Sequence, residues 1–155
     1  DGGSLGAHGR LEGVPMIRIR GLKEVRRNLA QLIDELGQAV TEGVEDAALD
    51  LLGRAVRDAP IDTGDLRGSG SVTFDGQVIA RGDKSGATEV TDKARASDNP
   101  TAVVGFDVPY AYKQDQDREL RHPRGGKAGY LSDNFRTRGP KYLRYIQQKV
   151  KKRLR

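Results

Sequence analysis

The chain has 155 residues and a net charge of +5, with 35% hydrophobic and 5% aromatic residues and no cysteine. The missing cysteine excludes disulfides, thiolate metal sites and a cysteine nucleophile. No run approaches the roughly 18 apolar residues of a membrane span, and the N-terminus lacks the apolar segment of a signal peptide. We therefore expect a soluble, unexported protein whose small core gains further burial from partner subunits.

The first fifteen residues, "DGGSLGAHGRLEGVP", are glycine-rich and have no apolar period. We interpret residues 1–15 as a disordered tag or upstream extension. The remaining residues, 16–155, are long enough for one domain and are predicted to form one. This domain begins with a short strand, "MIRIRG", at Met16.

A long amphipathic helix is predicted to follow. Apolar residues recur at steps of three and four from Leu22 to Ala59, which is the period of one helix face. Gly37 and Gly43 interrupt the pattern, and each costs about 1 kcal/mol relative to alanine. The pattern predicts a bend or a break into two helices near these glycines.

The stretch "APIDTGDLRGS" after this helix predicts a helix-to-sheet junction. Pro60 ends the helix because it cannot donate a backbone hydrogen bond, and Asp62 and Thr63 are turn or capping residues. Gly64 can adopt the positive φ of a reversal, and Leu66 is expected to anchor the turn in the core. The same stretch would also suit a reaction loop or a phosphate cradle.

Strands are predicted after the junction. "SVTF" and "QVIA", separated by Asp75-Gly76, predict a hairpin with a two-residue turn. Residues 81–101 are polar and have no period, which predicts a long mobile or partner-ordered loop. "AVVGF" (102–106) predicts another strand, and "PYAYKQ" (109–114) a strand or a short helix.

The last helix is predicted to begin near Pro140, a residue that suits a first helical turn. Its apolar positions are Leu143, Ile146, Val150 and Leu154, and lysine and arginine occupy the remaining face. The order of elements predicts an α+β fold: a long N-terminal helix, a small antiparallel sheet and a basic C-terminal helix packed on the sheet.

Positive charge is concentrated at the C-terminal end. Between Arg118 and Arg155, thirteen basic residues against two acidic ones leave +11, so the preceding residues sum to −6. This asymmetry indicates a contact with nucleic acid or an acidic protein, although a solvated basic helix that balances an acidic helix explains it equally well. The candidate residues for DNA or partner contact are Lys141, Arg144, Lys149, Lys151, Lys152 and Arg153.

Catalytic patterns are weak. Asp115, Asp117 and Glu119 would share one face of a strand and could hold Mg²⁺, but neighbouring arginines could pair with them instead. His122 is the only histidine beyond the N-terminal segment. Residues 125–127, "GGK", lack the full phosphate-loop spacing and are interpreted as a flexible arm. No catalytic residue, metal ligand or cofactor site is predicted.

One block is more specific. "AVRDAPIDTGDLRGSGSV" resembles the "A…AP-x-x-TG-x-L-x-x-S" signature of small head-tail joining proteins of long-tailed phages, which include neck, tail-completion and minor tail components. "MIRIRGLKEVRRNLAQL", "VVGFDVPYAYKQDQD" and the final segment from Ala128 are similar to further parts of that family, in the same order. The chain departs from it after Tyr110-Ala111, where the family's Glu and "GT" are missing, and in the longer loop 81–101.

The resemblance implies a non-enzymatic structural virion protein at the head-tail interface. It would form an oligomeric ring of six-fold or higher symmetry that joins the DNA-filled capsid to the tail. Its partners would be connector or tail tube proteins and, without sequence specificity, DNA in the channel, with no membrane; it would reside in the host cytoplasm during assembly. The alternative is a non-specific DNA-binding protein that uses the basic C-terminal helix. A Mg²⁺-dependent nuclease using Asp115, Asp117 and Glu119 is a third hypothesis.

Overall fold

A computed structural model describes residues 22–155, so the predictions for the N-terminal extension and for the strand at Met16 lie outside the described residues. The chain divides into two compact units, residues 1–36 and 37–155. Of the first unit the structure describes only a helical segment, residues 22–36.

The described elements confirm the α+β fold. Helix α1 (Leu22–Asp58) is followed by the one-turn helix α2 (Asp65–Gly68). Four strands come next: β1 (Gly70–Phe74), β2 (Gln77–Gly82), β3 (Thr88–Val90) and β4 (Ala102–Phe106). The last elements are the short helix α3 (Ala111–Gln116) and the C-terminal helix α4 (Ser132–Arg153). No described helix is long and apolar enough to cross a membrane.

Helix α1 is continuous, so the predicted break near Gly37 and Gly43 is wrong. Gly43 instead allows a close approach between helices, because a Cβ atom there would lie 2.8 Å from the Cγ1 atom of Ile146 in α4. A glycine that costs helix propensity is tolerated when tertiary packing requires the missing side chain.

The strands form one antiparallel sheet in the order β3-β2-β1-β4. The predicted hairpin is confirmed, with Asp75-Gly76 as its turn and Phe74 opposite Gln77. The register shifts between Val72 and Thr73, so Ile79 and Ala80, although adjacent, are both buried. Such an extra residue is a β-bulge, which bends the strand toward the core.

The prediction of an irregular loop over residues 81–101 is wrong for its first half. Gly82 ends β2, and Thr88–Val90 form the edge strand β3, which pairs with Ala80, Arg81 and Gly82. All three residues of β3 are exposed. A strand without a buried face has no alternation of apolar and polar residues, and periodicity therefore cannot detect it.

Two clusters of buried side chains hold residues 37–155 together. In the first, Leu52 and Val56 of α1 pack on one face of the sheet against Val72, Phe74 and Ile79. In the second, Ala55, Ala59, Leu66, Ala111 and Tyr130 bring the end of α1 together with α2, α3 and the start of α4. The second cluster lies directly beneath the junction that the sequence singles out.

Helix α4 begins at Ser132 rather than near Pro140, which lies inside it. Proline removes one backbone hydrogen bond and clashes with the preceding residue, but Gly139 has no Cβ atom to clash with. Ser132 and Asp133 are residue types typical of a helix start and could have located it. The segment 109–114, predicted as strand or helix, is helical from Ala111.

Candidate functional site

The junction residues lie between the C-terminal end of α1 and α2. Helix α1 ends at Asp58, two residues before the buried Pro60, and Gly64 has a φ of 88° immediately before α2. Leu66 is buried in the second cluster. Thr63 is exposed, and its Oγ1 accepts a hydrogen bond from the backbone N–H of Asp65 at 3.4 Å.

Asp62 does not cap a helix. Its backbone oxygen accepts a hydrogen bond from Arg124 at 2.9 Å, and its carboxylate lies 3.5 Å from the same guanidinium. Both side chains are largely exposed, so the ion pair contributes little to stability. The contact joins the junction to the loop at residues 121–124.

Arg67 holds the end of α1 and was not singled out from the sequence. Arg67 is 9% exposed, and its guanidinium donates to the carbonyl oxygens of Arg57 at 2.7 Å, Ala59 at 3.0 Å and Ser85 at 3.4 Å. The last carbonyls of a helix lack intrahelical partners and carry partial negative charge, and a cation there is stabilising. The arginine of the TGDLR stretch therefore caps the C-terminal end of α1.

A cavity of about 470 Å³ adjoins the junction. It is lined by residues 60–66 on one side and by Tyr110, Gln114 and residues 121–124 on the other. The Nε2 atom of His122 is buried without a hydrogen-bond partner. No serine or threonine in the described part of the chain is hydrogen-bonded to His122.

The loop at residues 125–127 is attached to the junction, which contradicts its interpretation as a flexible arm. The N–H of Ile61 donates to the oxygen of Gly125 at 3.1 Å, and the N–H of Lys127 donates to the oxygen of Asp58 at 2.9 Å. These bonds satisfy backbone groups at the end of α1.

The alternating acids are separated by secondary structure. Asp115 lies in α3, whereas Asp117 and Glu119 follow it, so the three do not share a strand face. Asp115 is 7% exposed, and its Oδ1 accepts hydrogen bonds from the N–H groups of Leu131 at 2.9 Å and Ser132 at 3.2 Å. It thus caps the start of α4, with the charge favoured at a helix N-terminus.

Helix α4 packs on the layer formed by helix and sheet, and it is fixed to α1 by tyrosines. The hydroxyl of Tyr142 donates to Asp50 at 2.6 Å, and that of Tyr145 donates to Asp46 at 2.7 Å. Partial burial opposes ionisation of Asp50, but hydrogen bonds from Tyr142 and Arg54 outweigh it and keep the pKa of this carboxyl below its usual value. Burial and the bond to Asp50 raise the pKa of Tyr142, which therefore stays a donor.

Two of the six predicted contact cations face α1 instead of an outside partner. Lys149 Nζ lies 3.4 Å from Glu42 and 3.8 Å from Asp46, and Arg153 lies 3.4 Å from Glu42. Lys149 also lies 5.5 Å from the centre of the Tyr145 ring. The charge asymmetry left open that the basic helix balances an acidic helix. Lys149 and Arg153 do so, because their charges are paired with acids of α1.

The other four cations, Lys141, Arg144, Lys151 and Lys152, are exposed and make no ion pair within residues 22–155. Their positions lie within an arc of about 100°, whose centre is about 120° around the axis of α4 from the residues that contact α1. We call these four residues the outer basic face.

Comparison of the chain with families of proteins, with curated proteins and with solved structures finds no match.

Proposed function

We propose that this chain is a structural virion protein of the phage head-tail interface. It forms an oligomeric ring, of six-fold or higher symmetry, that joins the DNA-filled capsid to the tail through connector and tail tube proteins. The resemblance of residues 55–72 to the head-tail joining signature supports this proposal, and so does the surface of the described unit.

The proposal depends on exposed apolar side chains at two places, the C-terminal half of α4 with the residue after it, and strand β4. Leu143 on α4 is 57% exposed, and Leu154, the residue directly after α4, is 56% exposed. On β4, Val103 is 58% exposed. Burying a leucine or valine side chain stabilises an assembly by roughly 1.5–3 kcal/mol, so a second copy that covers these residues would be favoured.

The sheet edges support assembly as well. Among the strands that the structure describes, β4 is an edge strand of five residues, "AVVGF", without a charge or a proline. Natural edge strands usually carry such residues, because an unprotected edge is a template for pairing with another chain. The other edge, β3, lies at the opposite end of the sheet. A contact between two different surfaces closes a ring when the rotation that it repeats divides a full turn.

In this role the protein acts by assembly and not by chemistry. The end of α1, α2 and the loop at residues 125–127 form a hydrogen-bonded unit, which can hold the sheet at a constant angle to the long helix. The protein is synthesised in the host cytoplasm and is retained in the virion.

The test is genetic. The gene is deleted from the phage that carries it, and lysates are imaged by electron microscopy after complementation with variants. We expect full capsids without tails in the deletion, and joined particles with the wild-type gene. Leu143→Glu together with Leu154→Glu should leave the heads and tails separate.

Lys93→Gln together with Arg95→Gln is the matched control, since both residues are exposed in the loop beyond β3 and the net charge falls by two, as in the leucine variant. Joined, infectious particles in the deletion would overturn the proposal. If the control were as defective as the leucine variant, the apolar surface of α4 would not be the subunit contact.

A further inference from the structure

We propose that the outer basic face of α4 binds the phosphate backbone of double-stranded DNA without reading its sequence. The inference goes beyond a role in assembly, because it assigns a ligand to a surface of the single chain. It can be measured whether or not the chain forms a ring.

The six candidate cations of α4 fall into two groups, one paired with α1 and one exposed. The contact side carries Lys149 and Arg153, whose charges are paired with Glu42 and Asp46 of α1. Within residues 22–155 the outer basic face makes no such ion pair. Only charges without a protein partner can replace the counterions of DNA at no cost to the fold.

Within residues 22–155, no acidic side chain is paired with the outer basic face. After Asp133 the helix contains no aspartate or glutamate. The acids of α1 that α4 contacts, Glu42, Asp46 and Asp50, lie beneath its contact side and bind Arg153, Lys149 and the two tyrosines. The positive potential of the outer basic face is therefore not cancelled locally.

The composition of the outer basic face favours DNA over a protein partner. By the helical period, Thr137 and Gln148 share the arc of the four cations. Neither is apolar or aromatic. The cores of protein interfaces are depleted in lysine and enriched in aromatic residues, whereas DNA-binding surfaces are polar and strongly positive. A polar, positively charged face of this composition suits contacts with the phosphates of DNA.

The outer basic face is long enough to contact several phosphates. Lys141 and Lys152 are eleven residues apart, which corresponds to about 16 Å along a helix. A DNA duplex carries one negative charge per about 1.7 Å of its axis, so several phosphates lie within reach of this span. Contacts of this kind set position and affinity but carry no sequence information.

The experiment measures binding of the full chain to a labelled duplex of random sequence by fluorescence anisotropy between 50 and 200 mM NaCl. For up to four phosphate contacts, the logarithm of the binding constant should fall against the logarithm of salt with a slope near −3.6, about −0.9 per contact. The variant Lys141→Gln, Arg144→Gln, Lys151→Gln and Lys152→Gln should lose most of this slope and at least about tenfold in affinity at 50 mM NaCl.

The matched control is Lys93→Gln, Arg95→Gln, Lys113→Gln and Arg121→Gln. It removes the same number of exposed charges from other elements and should keep the wild-type slope. Equal losses in both variants would mean that net charge and not this face is responsible, and would overturn the proposal. So would a wild-type chain that does not bind the duplex at 50 mM NaCl.

Poly-L-glutamate is the competing probe. If it displaces the duplex at equal charge concentration, the face is a site for acidic polypeptides and the assignment to DNA is wrong. Sedimentation of each variant reports assembly separately, so loss of DNA binding and loss of the proposed ring are distinguishable.

Discussion

The Nη2 atom of Arg67 lies 2.7 Å from the carbonyl oxygen of Arg57 in the last turn of α1. Through this bond and the bond to Ala59, a residue of the short helix α2 closes the end of the longest helix in the described chain. A guanidinium can do this because its planar fork presents several donors in fixed directions.

We predict that Arg67→Ala lowers the free energy of unfolding by about 2–4 kcal/mol, because buried carbonyl oxygens lose a charged donor. Urea unfolding at 25 °C measures the change. Arg67→Lys should recover only part of it, since one ammonium cannot reproduce the planar fork. Arg121→Ala is the control at an exposed arginine and should change stability by less than about 0.5 kcal/mol; a loss as large as that of Arg67→Ala would contradict the capping role.

Gly64→Val should destabilise the fold by about 3 kcal/mol or more. A β-branched residue is strained at a φ of 88°, and its Cβ atom would lie 2.8 Å from the Cβ atom of Lys84. Gly76→Val has the same backbone strain, at a φ of 86°, but a Cβ atom there meets no other atom within 4 Å. It should therefore lower the free energy of unfolding by only about 1–2 kcal/mol. Thermal melting of both variants isolates the contact with Lys84, and an unchanged melting temperature for Gly64→Val would refute the prediction.

Asp115→Ala should cost about 1–2 kcal/mol, because the N–H groups of Leu131 and Ser132 lose their acceptor at the start of α4. Asp115→Asn keeps an acceptor oxygen and should cost less. Glu119→Ala, at an exposed acid, should leave the melting temperature unchanged. If Asp115→Ala were neutral in thermal melting, the cap would not contribute to stability.

Tyr142→Phe should raise the pKa of Asp50 toward its usual value, since one of the hydrogen bonds that lower it is removed. A carboxyl whose pKa is depressed in the folded state stabilises the fold above its unfolded pKa of about 3.9, and this contribution disappears as pH falls through the folded pKa. The wild type should therefore exceed the variant in stability by about 1 kcal/mol at pH 7, and the difference should shrink below about pH 4.

Carboxyl NMR titration measures the pKa of Asp50 in both proteins, and urea unfolding at pH 7 and at pH 3 measures their stabilities. Tyr112→Phe, at a tyrosine that is 79% exposed, is the control and should show no pH-dependent difference. A difference between Tyr142→Phe and wild type that is constant from pH 7 to pH 3 would show that the hydroxyl acts independently of the charge on Asp50.

The local sequence determined much of the fold of this protein. The three-to-four-residue period of α1, the Asp75-Gly76 turn and the apolar run of β4 each depend on residues close in the chain, and each was found where it was predicted. Periodicity and turn chemistry are local properties, so a single sequence is enough to read them. For the same reason β3, with three exposed residues, was missed.

Only the tertiary structure decided which charged residues are paired within the protein and which are free to bind a ligand. Arg67, Asp115 and Lys149 look like ordinary surface residues in the sequence, yet their partners lie 8 to 107 positions away. The direction in which α4 lies on α1 determines that Lys149 and Arg153 are paired and that the outer basic face is not. Ion pairs and caps between distant segments depend on how the chain packs, and no local pattern records that choice.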